Sequence, residues 1–236
     1  MKKNKLKYLL ASFICASIVC LTYNAEDNDA ETIEIKNKTV QRNKIELLEG
    51  KTIIIDPGHG GVDFGTTGLT YGTSEKEVNL TVAQNIKQEL EKRTAATVTL
   101  TRDKDIDLGR NQKEALQKRI QISDDSSADL YISIHHDAFT DPSVNGITVH
   151  YSSHQNKSKK LAEILNSSIF KQNINAKNRG IRDSAYYVLK NNSAPAVLLE
   201  LGFTSNKEDE IRMVSKDFQS KTAISVVDGI IKFFAM

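Results

Sequence analysis

The sequence predicts a single α/β domain with a mostly parallel six-stranded sheet and helices on both faces. Short apolar runs of strand character recur along the chain, and amphipathic stretches of helical length lie between them. Among its 236 residues, 39% are hydrophobic and 26% charged, which is ordinary for one globular domain. Both cysteines, Cys15 and Cys20, lie in the first 25 residues, so disulfides are excluded for the rest of the chain.

Residues 1–25 have the pattern of a signal peptide. Four lysines and no acid precede an apolar run at 8–21, which is shorter than the roughly 20 residues that a membrane-spanning helix needs. Tyr23 is unfavourable for cleavage after Ala25, so an uncleaved membrane anchor is the alternative. With either outcome we expect the rest of the chain to lie outside the cytoplasm, as a secreted or membrane-anchored protein.

Residues 26–50 are interpreted as a polar linker, with a short strand at "TIEIK", and residues 51–236 as the folded domain. The formal charge of +2 combines 32 basic with 30 acidic residues, and without the four leader lysines the balance is 28 to 30. This balance does not favour a nucleic-acid partner. No internal repeat or additional wall-binding domain is recognisable in the sequence.

Six runs after Lys51 are predicted to be strands, and four stretches between them to be helices. The predicted strands are "TIIID", "TVTLT", "LYISIHH", "GITVHY", "AYYVL" and "AVLLEL". The predicted helices are Glu75–Arg93, a segment ending near Ile122, residues 159–171 and a last helix around residues 223–234. Strands that alternate with helices favour a parallel sheet covered on both faces.

Polar side chains stand where three predicted strands end. His59 follows the first strand in "DPGHGG", His135 ends the third, and Glu200 ends the sixth. Ligands bind beyond the carboxyl ends of strands in such sheets, so these groups are expected to converge. A histidine that bonds a loop carbonyl, or a carboxylate that accepts loop amides, is the non-functional alternative for each residue alone.

The "SEKEV" turn offers one more carboxylate. Ser74 and Glu77 have capping-box spacing, which would occupy Glu77 and leave Glu75 free to join the site. Two histidines and two acids at strand and helix ends suit a catalytic zinc site, which has three protein ligands and one open position.

Four stretches carry a family resemblance: "IIIDPGHGG", "EKEVNL", "ADLYISIHHDAF" and "VLLELGFTSNKEDE". They resemble the motifs of zinc-dependent N-acetylmuramoyl-L-alanine amidases of the type-3 amidase family, which are bacterial cell-wall hydrolases. The resemblance runs from Lys51 almost to the C terminus. It implies a Zn²⁺ cofactor, a peptidoglycan substrate, and cleavage of the amide between N-acetylmuramic acid and L-alanine.

The resemblance also implies roles for individual residues. His59, Glu75 and His135 match the family's zinc ligands, Asn79 completes its E-x-x-x-N pattern, and Glu200 matches its catalytic acid. Zinc-activated water would attack the amide carbonyl, with the glutamate as general base and then general acid. Arg102, Arg119 and Arg182 resemble family positions to which the sequence by itself assigns no role.

The chain departs from the family at His136 and Asp137, which stand where small or amide residues are common. The sequence also shows no wall-binding domain of the kind that many members of the family add, so targeting is expected to come from the leader or from a partner, such as a membrane activator. Two other functions remain as alternatives: a peptidoglycan-binding module without turnover, and a different zinc hydrolase, such as a peptidase or deacetylase.

Several conspicuous side chains are expected to lie outside the catalytic set. His150 and His154 are predicted to lie at the surface. Tyr186 and Tyr187 are predicted to lie on opposite sides of a strand, one in the core and the other beside the groove. Asn206 is predicted to cap a helix that begins in "SNKEDE". The three lysines after His154 are predicted to form a solvated helix face: Lys157, Lys159 and Lys160.

Overall fold

The computed structural model describes residues 47–236. Its strands are β1 (Thr52–Pro57), β2 (Thr97–Leu100), β3 (Leu130–Asp137), β4 (Ile147–Tyr151), β5 (Asn178–Asp183) and β6 (Ala196–Phe203). Its helices are α1 (Glu75–Arg93), α2 (Gln112–Asp125), α3 (Asn156–Lys171), α4 (Tyr187–Lys190), α5 (Lys207–Met213) and α6 (Lys216–Phe234). The predicted leader and all but the last residues of the predicted linker, with its "TIEIK" strand, lie outside the described residues.

The six strands form one sheet in the order β2-β1-β3-β6-β4-β5. Neighbouring strands are parallel, except that β4 runs antiparallel to β6. The prediction of a mostly parallel six-stranded sheet in a single α/β domain is therefore confirmed, and the sheet is mixed. Because β1, β3 and β6 are parallel neighbours, their carboxyl ends meet at one edge.

The two faces of the sheet are covered unequally. On one face, Ile53, Ile55 and the alternating residues of β3 and β6 pack in a large core under α1, α3 and α6. On the other face, Ile54, Tyr131 and Leu198 belong to a small cluster that is covered by α2 and α4. Side chains at the carboxyl ends of the strands on this second face therefore lie beside open space.

The prediction that "AYYVL" forms a strand is wrong. Tyr187–Lys190 is a short helix, and the fifth strand is the polar segment Asn178–Asp183. An edge strand pairs with β4 through its backbone and buries few side chains, so β5 has no hydrophobic alternation to reveal it. In "AYYVL", the adjacent residues Val188 and Leu189 are both buried in the same small cluster by one helical turn. In a strand, adjacent side chains would point to opposite faces of the sheet.

The helix predictions agree closely with the structure. Asn206 caps α5 as predicted, because its side-chain oxygen accepts a hydrogen bond of 3.0 Å from the amide of Asp209. The lysines at the start of α3 are exposed. Among residues 47–236, no helix combines the length and the apolar character that membrane crossing requires.

Candidate active site

The loop after β1 holds His59 in a strained conformation. His59 has a φ of 61°, in the left-handed region that few residues other than glycine adopt. Two buried arginines bind its carbonyl oxygen: Arg102 Nε donates at 2.7 Å and Arg119 Nη2 at 2.6 Å. These contacts give Arg102 and Arg119 a role that the sequence did not assign, which is to fix the loop that carries His59.

The arginine support rests in turn on a buried carboxylate, Asp56. Asp56 forms an ion pair with Arg119 and accepts hydrogen bonds from Thr101 (2.5 Å), Tyr131 (2.6 Å) and Ser133 (2.7 Å). Burial by itself would raise the pKa of Asp56, but the charge of Arg119 and the three hydroxyl groups lower the pKa to about 2.

We expect Asp56→Asn to lower the free energy of unfolding by about 3–5 kcal/mol at pH 7, because Arg119 would remain buried without its partner. The pKa of Asp56 is lowered on folding, so this stabilisation is present above the ordinary pKa of about 3.9 and is lost as pH falls through about 2. Denaturant unfolding at several pH values measures it, with the exposed Asp217→Asn as control. A difference that stayed constant down to pH 2 would contradict this assignment.

His59, Glu75 and His135 come together at the carboxyl edge of the sheet. Glu75 Oε1 lies 3.1 Å from His59 Nε2 and 3.1 Å from His135 Nδ1. One donor atom from each residue lies within 4.8 Å of the others. Gly58 makes room for this arrangement, because a Cβ at that position would lie 2.2 Å from the ring of His135.

The donor set fits a zinc ion. Two imidazole nitrogens and a carboxylate oxygen are the ligands of many catalytic zinc sites, which leave a fourth position open. Burial alone would raise the pKa of Glu75, but the hydrogen bonds and charges of His135 and His59 lower it. Burial alone would lower the pKa of His59, but Glu75 and Asp63 raise it. A carboxylate that stays ionised despite burial is ready to bind a cation.

Asn79 supports this cluster from behind. Its Nδ2 lies 3.2 Å from Glu75 Oε1, and its Oδ1 lies 2.8 Å from His136 Nδ1. His136 is 1% exposed on the face of the sheet opposite His135, and burial lowers its pKa to about 4. The two adjacent histidines therefore point to opposite sides, as strand geometry predicts.

The capping box expected at Ser74 does not form. Within residues 47–236 the Ser74 side chain makes no cap hydrogen bond, and Glu77 is exposed. Glu75 lies beside His59 and His135, but the capping box is not the reason. The amide of Glu75 donates to the carbonyl of Thr66 (3.1 Å), and its Oε2 accepts from the amide of Thr66 (2.7 Å).

Glu200 lies on β6 directly across from His135 in the strand register. It is 6% exposed, and its Oε2 has no hydrogen-bond partner among the described residues. Burial and the negative charges of Asp137 and Glu75 raise its pKa well above the ordinary range. A buried carboxyl group with a raised pKa beside a candidate metal site has the properties of a general acid and base.

These groups open into a cleft of about 320 Å³ on the thinly covered face of the sheet. Helix α2 and the segment around α4 form its walls. The lining residues from these two walls are Gln112, Ala115, Leu116, Arg119, Tyr186, Tyr187 and Val188. The cleft therefore combines apolar walls with a polar end, as ligand sites commonly do.

Two expectations about the neighbourhood of the cleft are wrong. Tyr186 and Tyr187 both line it, where opposite sides of a strand were predicted. His150 is buried, with its Nδ1 2.7 Å from Ser184 Oγ and its ring edge-on to that of Tyr186, where a surface position was predicted. His154 is exposed as predicted, and Arg182 is also exposed.

Comparison with known proteins adds independent findings. The family model described as N-acetylmuramoyl-L-alanine amidase matches residues 53–232. The solved structure of N-acetylmuramoyl-L-alanine amidase AmiC2 of Nostoc punctiforme is 34% identical, with a TM-score of 0.72 over 80% of this chain and 99% of that one. The CwlD amidase of Clostridioides difficile, solved in complex with the GerS lipoprotein, is 31% identical, with a TM-score of 0.73 over 79% and 99% of the two chains.

Relatives with curated descriptions are longer than the matched region. The probable cell wall amidase LytH of Staphylococcus aureus is 38% identical over 189 residues, which are 80% of this chain and 60% of LytH. A protein of Bacillus anthracis described as an uncharacterized cell wall amidase is 33% identical over 202 residues, which are 83% of this chain and 38% of that protein. The chain thus matches less than two thirds of the length of these relatives.

Proposed function

The chain belongs to the N-acetylmuramoyl-L-alanine amidase family, and we propose that it hydrolyses the amide bond between N-acetylmuramic acid and the L-alanine of the peptidoglycan stem peptide. The observation that carries the proposal is the position of Glu200, a buried carboxyl group that lines the cleft in register with His135. A carboxyl group in this position, beside three metal-type donors, supports an acid-base role.

The proposed cofactor is Zn²⁺, which His59, Glu75 and His135 would hold. When bound, zinc lowers the pKa of water from 15.7 to about 7 and polarises a carbonyl group. Asn79 orients Glu75, and the two arginines that bind the carbonyl of His59 hold that ligand in place. Such outer contacts typically change metal affinity by roughly 10–100-fold when they are removed.

The proposed role of Glu200 is to move the proton. It accepts a proton from the attacking water and returns it to the nitrogen of L-alanine as the C–N bond breaks, so that the products are a muramic acid carboxylate and a peptide amine. The raised pKa of Glu200 favours the first transfer, because a carboxylate with a raised pKa is a stronger base towards the attacking water.

Digestion of purified sacculi, followed by mass spectrometry of the released products, tests the reaction. We expect intact stem peptides with a free L-alanine amine, and glycan strands without peptides. Cleavage inside the stem peptide would indicate a peptidase, and loss of acetyl groups from the glycan a deacetylase. Binding to sacculi without any product would indicate a peptidoglycan-binding module.

We propose that residues 51–236 are the catalytic domain, 26–50 a linker, and 1–25 a signal peptide or membrane anchor that carries the enzyme out of the cytoplasm. Fusion of residues 1–30 to a reporter that is active only outside the cytoplasm tests the location, and a silent reporter found in the cytosol would refute it. The cell wall amidases among the relatives support this location.

The GerS lipoprotein in the CwlD structure supports an accessory protein at the membrane as a partner for this chain. Hydrolysis of sacculi by purified residues 51–236, with and without membranes from the source cell, tests this proposal. Equal rates under the two conditions would show that no membrane activator is needed.

We expect Glu75→Gln to weaken zinc binding, because a neutral amide oxygen is a poorer ligand than a carboxylate. The matched control is Glu77→Gln, two residues along the same helix, where the side chain is exposed. This variant should retain both zinc and activity. Metal content of the two purified proteins measures the difference, and loss of zinc from the Glu77 variant alone would reverse the assignment.

A further inference from the structure

Glu210 is a buried carboxylate that the proposed mechanism does not use. It lies in α5 and is 0% exposed. Its Oε2 accepts a hydrogen bond from the amide of Thr70 (2.9 Å), and its Oε1 accepts from the amides of Tyr71 (2.9 Å) and Thr73 (3.2 Å). Hydrogen bonds to an ionised group are stronger than neutral ones, so Glu210 binds this stretch of backbone firmly.

The backbone that Glu210 holds belongs to an exposed loop, residues 66–74. An antiparallel bridge between Thr67 and Ser74 closes the loop, but the tip side chains of Leu69 and Tyr71 are 73% and 61% exposed. The loop therefore has little apolar packing of its own to fix its shape. Gly68 lies against Glu210 so closely that an added Cβ would be 1.9 Å from its Oε1.

The same loop binds Glu75, whose Oε1 also contacts Asn79 and the two histidines. Both ends of Glu75 bond to Thr66: its amide donates to the Thr66 carbonyl, and its Oε2 accepts from the Thr66 amide. Ser74 makes no side-chain cap to α1 within the described part of the chain. The first residue of α1 is thus held by the loop, and the loop is held by Glu210.

We propose that Glu210 is a positioning residue for the metal site: it fixes loop 66–74, and the loop fixes the carboxylate of Glu75. The inference rests on the proposed function, because it takes Glu75 as a metal ligand. Glu210 acts through the loop backbone and does not contact the substrate or the metal. Its effect should therefore appear in metal affinity, beyond any effect on stability.

Zinc affinity of Glu210→Gln, measured by competition with a chromogenic chelator, tests the proposal. The glutamine NH₂ group cannot accept an amide hydrogen bond, so the loop loses part of its anchor, and we expect zinc to bind roughly 10-fold more weakly or worse. Glu208→Gln is the matched control, since it makes the same change on the same helix at an exposed position. It should bind zinc as the wild type does.

Gly68→Ala disturbs the same contact from the loop side and should also weaken zinc binding. Thermal unfolding of the zinc-free proteins separates this effect from stability, and affinities are compared well below the melting temperatures. Lower melting temperatures with unchanged zinc affinity in both variants would overturn the proposal. A wild type that bound no zinc would refute the proposed function as well, whereas normal wild-type binding with unaffected variants would refute only the role of Glu210.

The wild-type protein provides a measurement that does not depend on how the variants fold. Coupling between two sites is reciprocal, so zinc binding at Glu75 should slow hydrogen exchange at the amides of Thr70, Tyr71 and Thr73. Exchange rates at these amides that are the same with and without zinc would show that the loop and the metal site are uncoupled.

Discussion

Replacement of Glu200 by glutamine should lower kcat for muropeptide hydrolysis by about 10²–10⁴-fold, while the protein still folds and binds zinc. Glutamine has nearly the same shape as glutamate but cannot accept a proton from water or deliver one to the leaving amine. Because Glu200 is assigned to both transfers, we expect a loss near the upper end of this range. KM should change little, since the change affects the transition state more than the bound substrate.

The test measures zinc content and muropeptide hydrolysis on the same preparation. Glu163→Gln, at an exposed position of α3, is the control and should be fully active. Loss of zinc from the Glu200 variant would make Glu200 a metal ligand. Turnover close to that of the wild type would mean that another group moves the proton.

The second large effect is expected for His135→Ala, which should remove the metal and with it all measurable hydrolysis. His135 is one of three donor residues, so its loss should cost more than the roughly 10–100-fold that removal of an outer contact costs. Zinc per protein after gel filtration measures the loss. Unaltered far-ultraviolet circular dichroism would show that the variant is still folded.

His136→Ala is the matched control for His135→Ala. The side chain of His136 lies on the opposite face of the sheet and reaches the site through Asn79. Its backbone amide, which alanine retains, donates a hydrogen bond of 3.2 Å to Glu75 Oε1. Removal of the His136 side chain should weaken zinc binding by no more than the roughly 10–100-fold typical of a residue that contacts a metal ligand, and most of the metal should stay in place. Equal zinc loss from the two folded variants would contradict the assignment of His135 as a ligand.

The fold class was predictable from the sequence because it depends on local periodicity. Buried strands such as β1 and β6 are continuous apolar runs, and α1 has one apolar face, so each element can be recognised without knowledge of its neighbours. The prediction failed at β5, an edge strand with few buried side chains, and at α4, where aromatic residues line a cleft. Neither segment has a local period that reflects its structure.

The residues of the candidate site were predictable for a related reason. His59, His135 and Glu200 each follow or end an apolar strand, and parallel neighbouring strands bring their carboxyl ends to one edge. Sequence position was therefore enough to predict that they converge. Glu75, not Glu77, lies beside the two histidines, although the capping box that motivated the choice does not form.

The sequence by itself thus determined the fold class and the residues that meet at the sheet edge, since local periodicity and strand-end position encode both. Only the tertiary structure decided what supports them: the arginines bound to the carbonyl of His59, the burial of His150, and the contact of Glu210 with loop 66–74. Glu210 is 137–140 residues from its three partners. Contacts over such separations form only when the packed sheet and helices bring distant segments together, and no local pattern in the sequence records them.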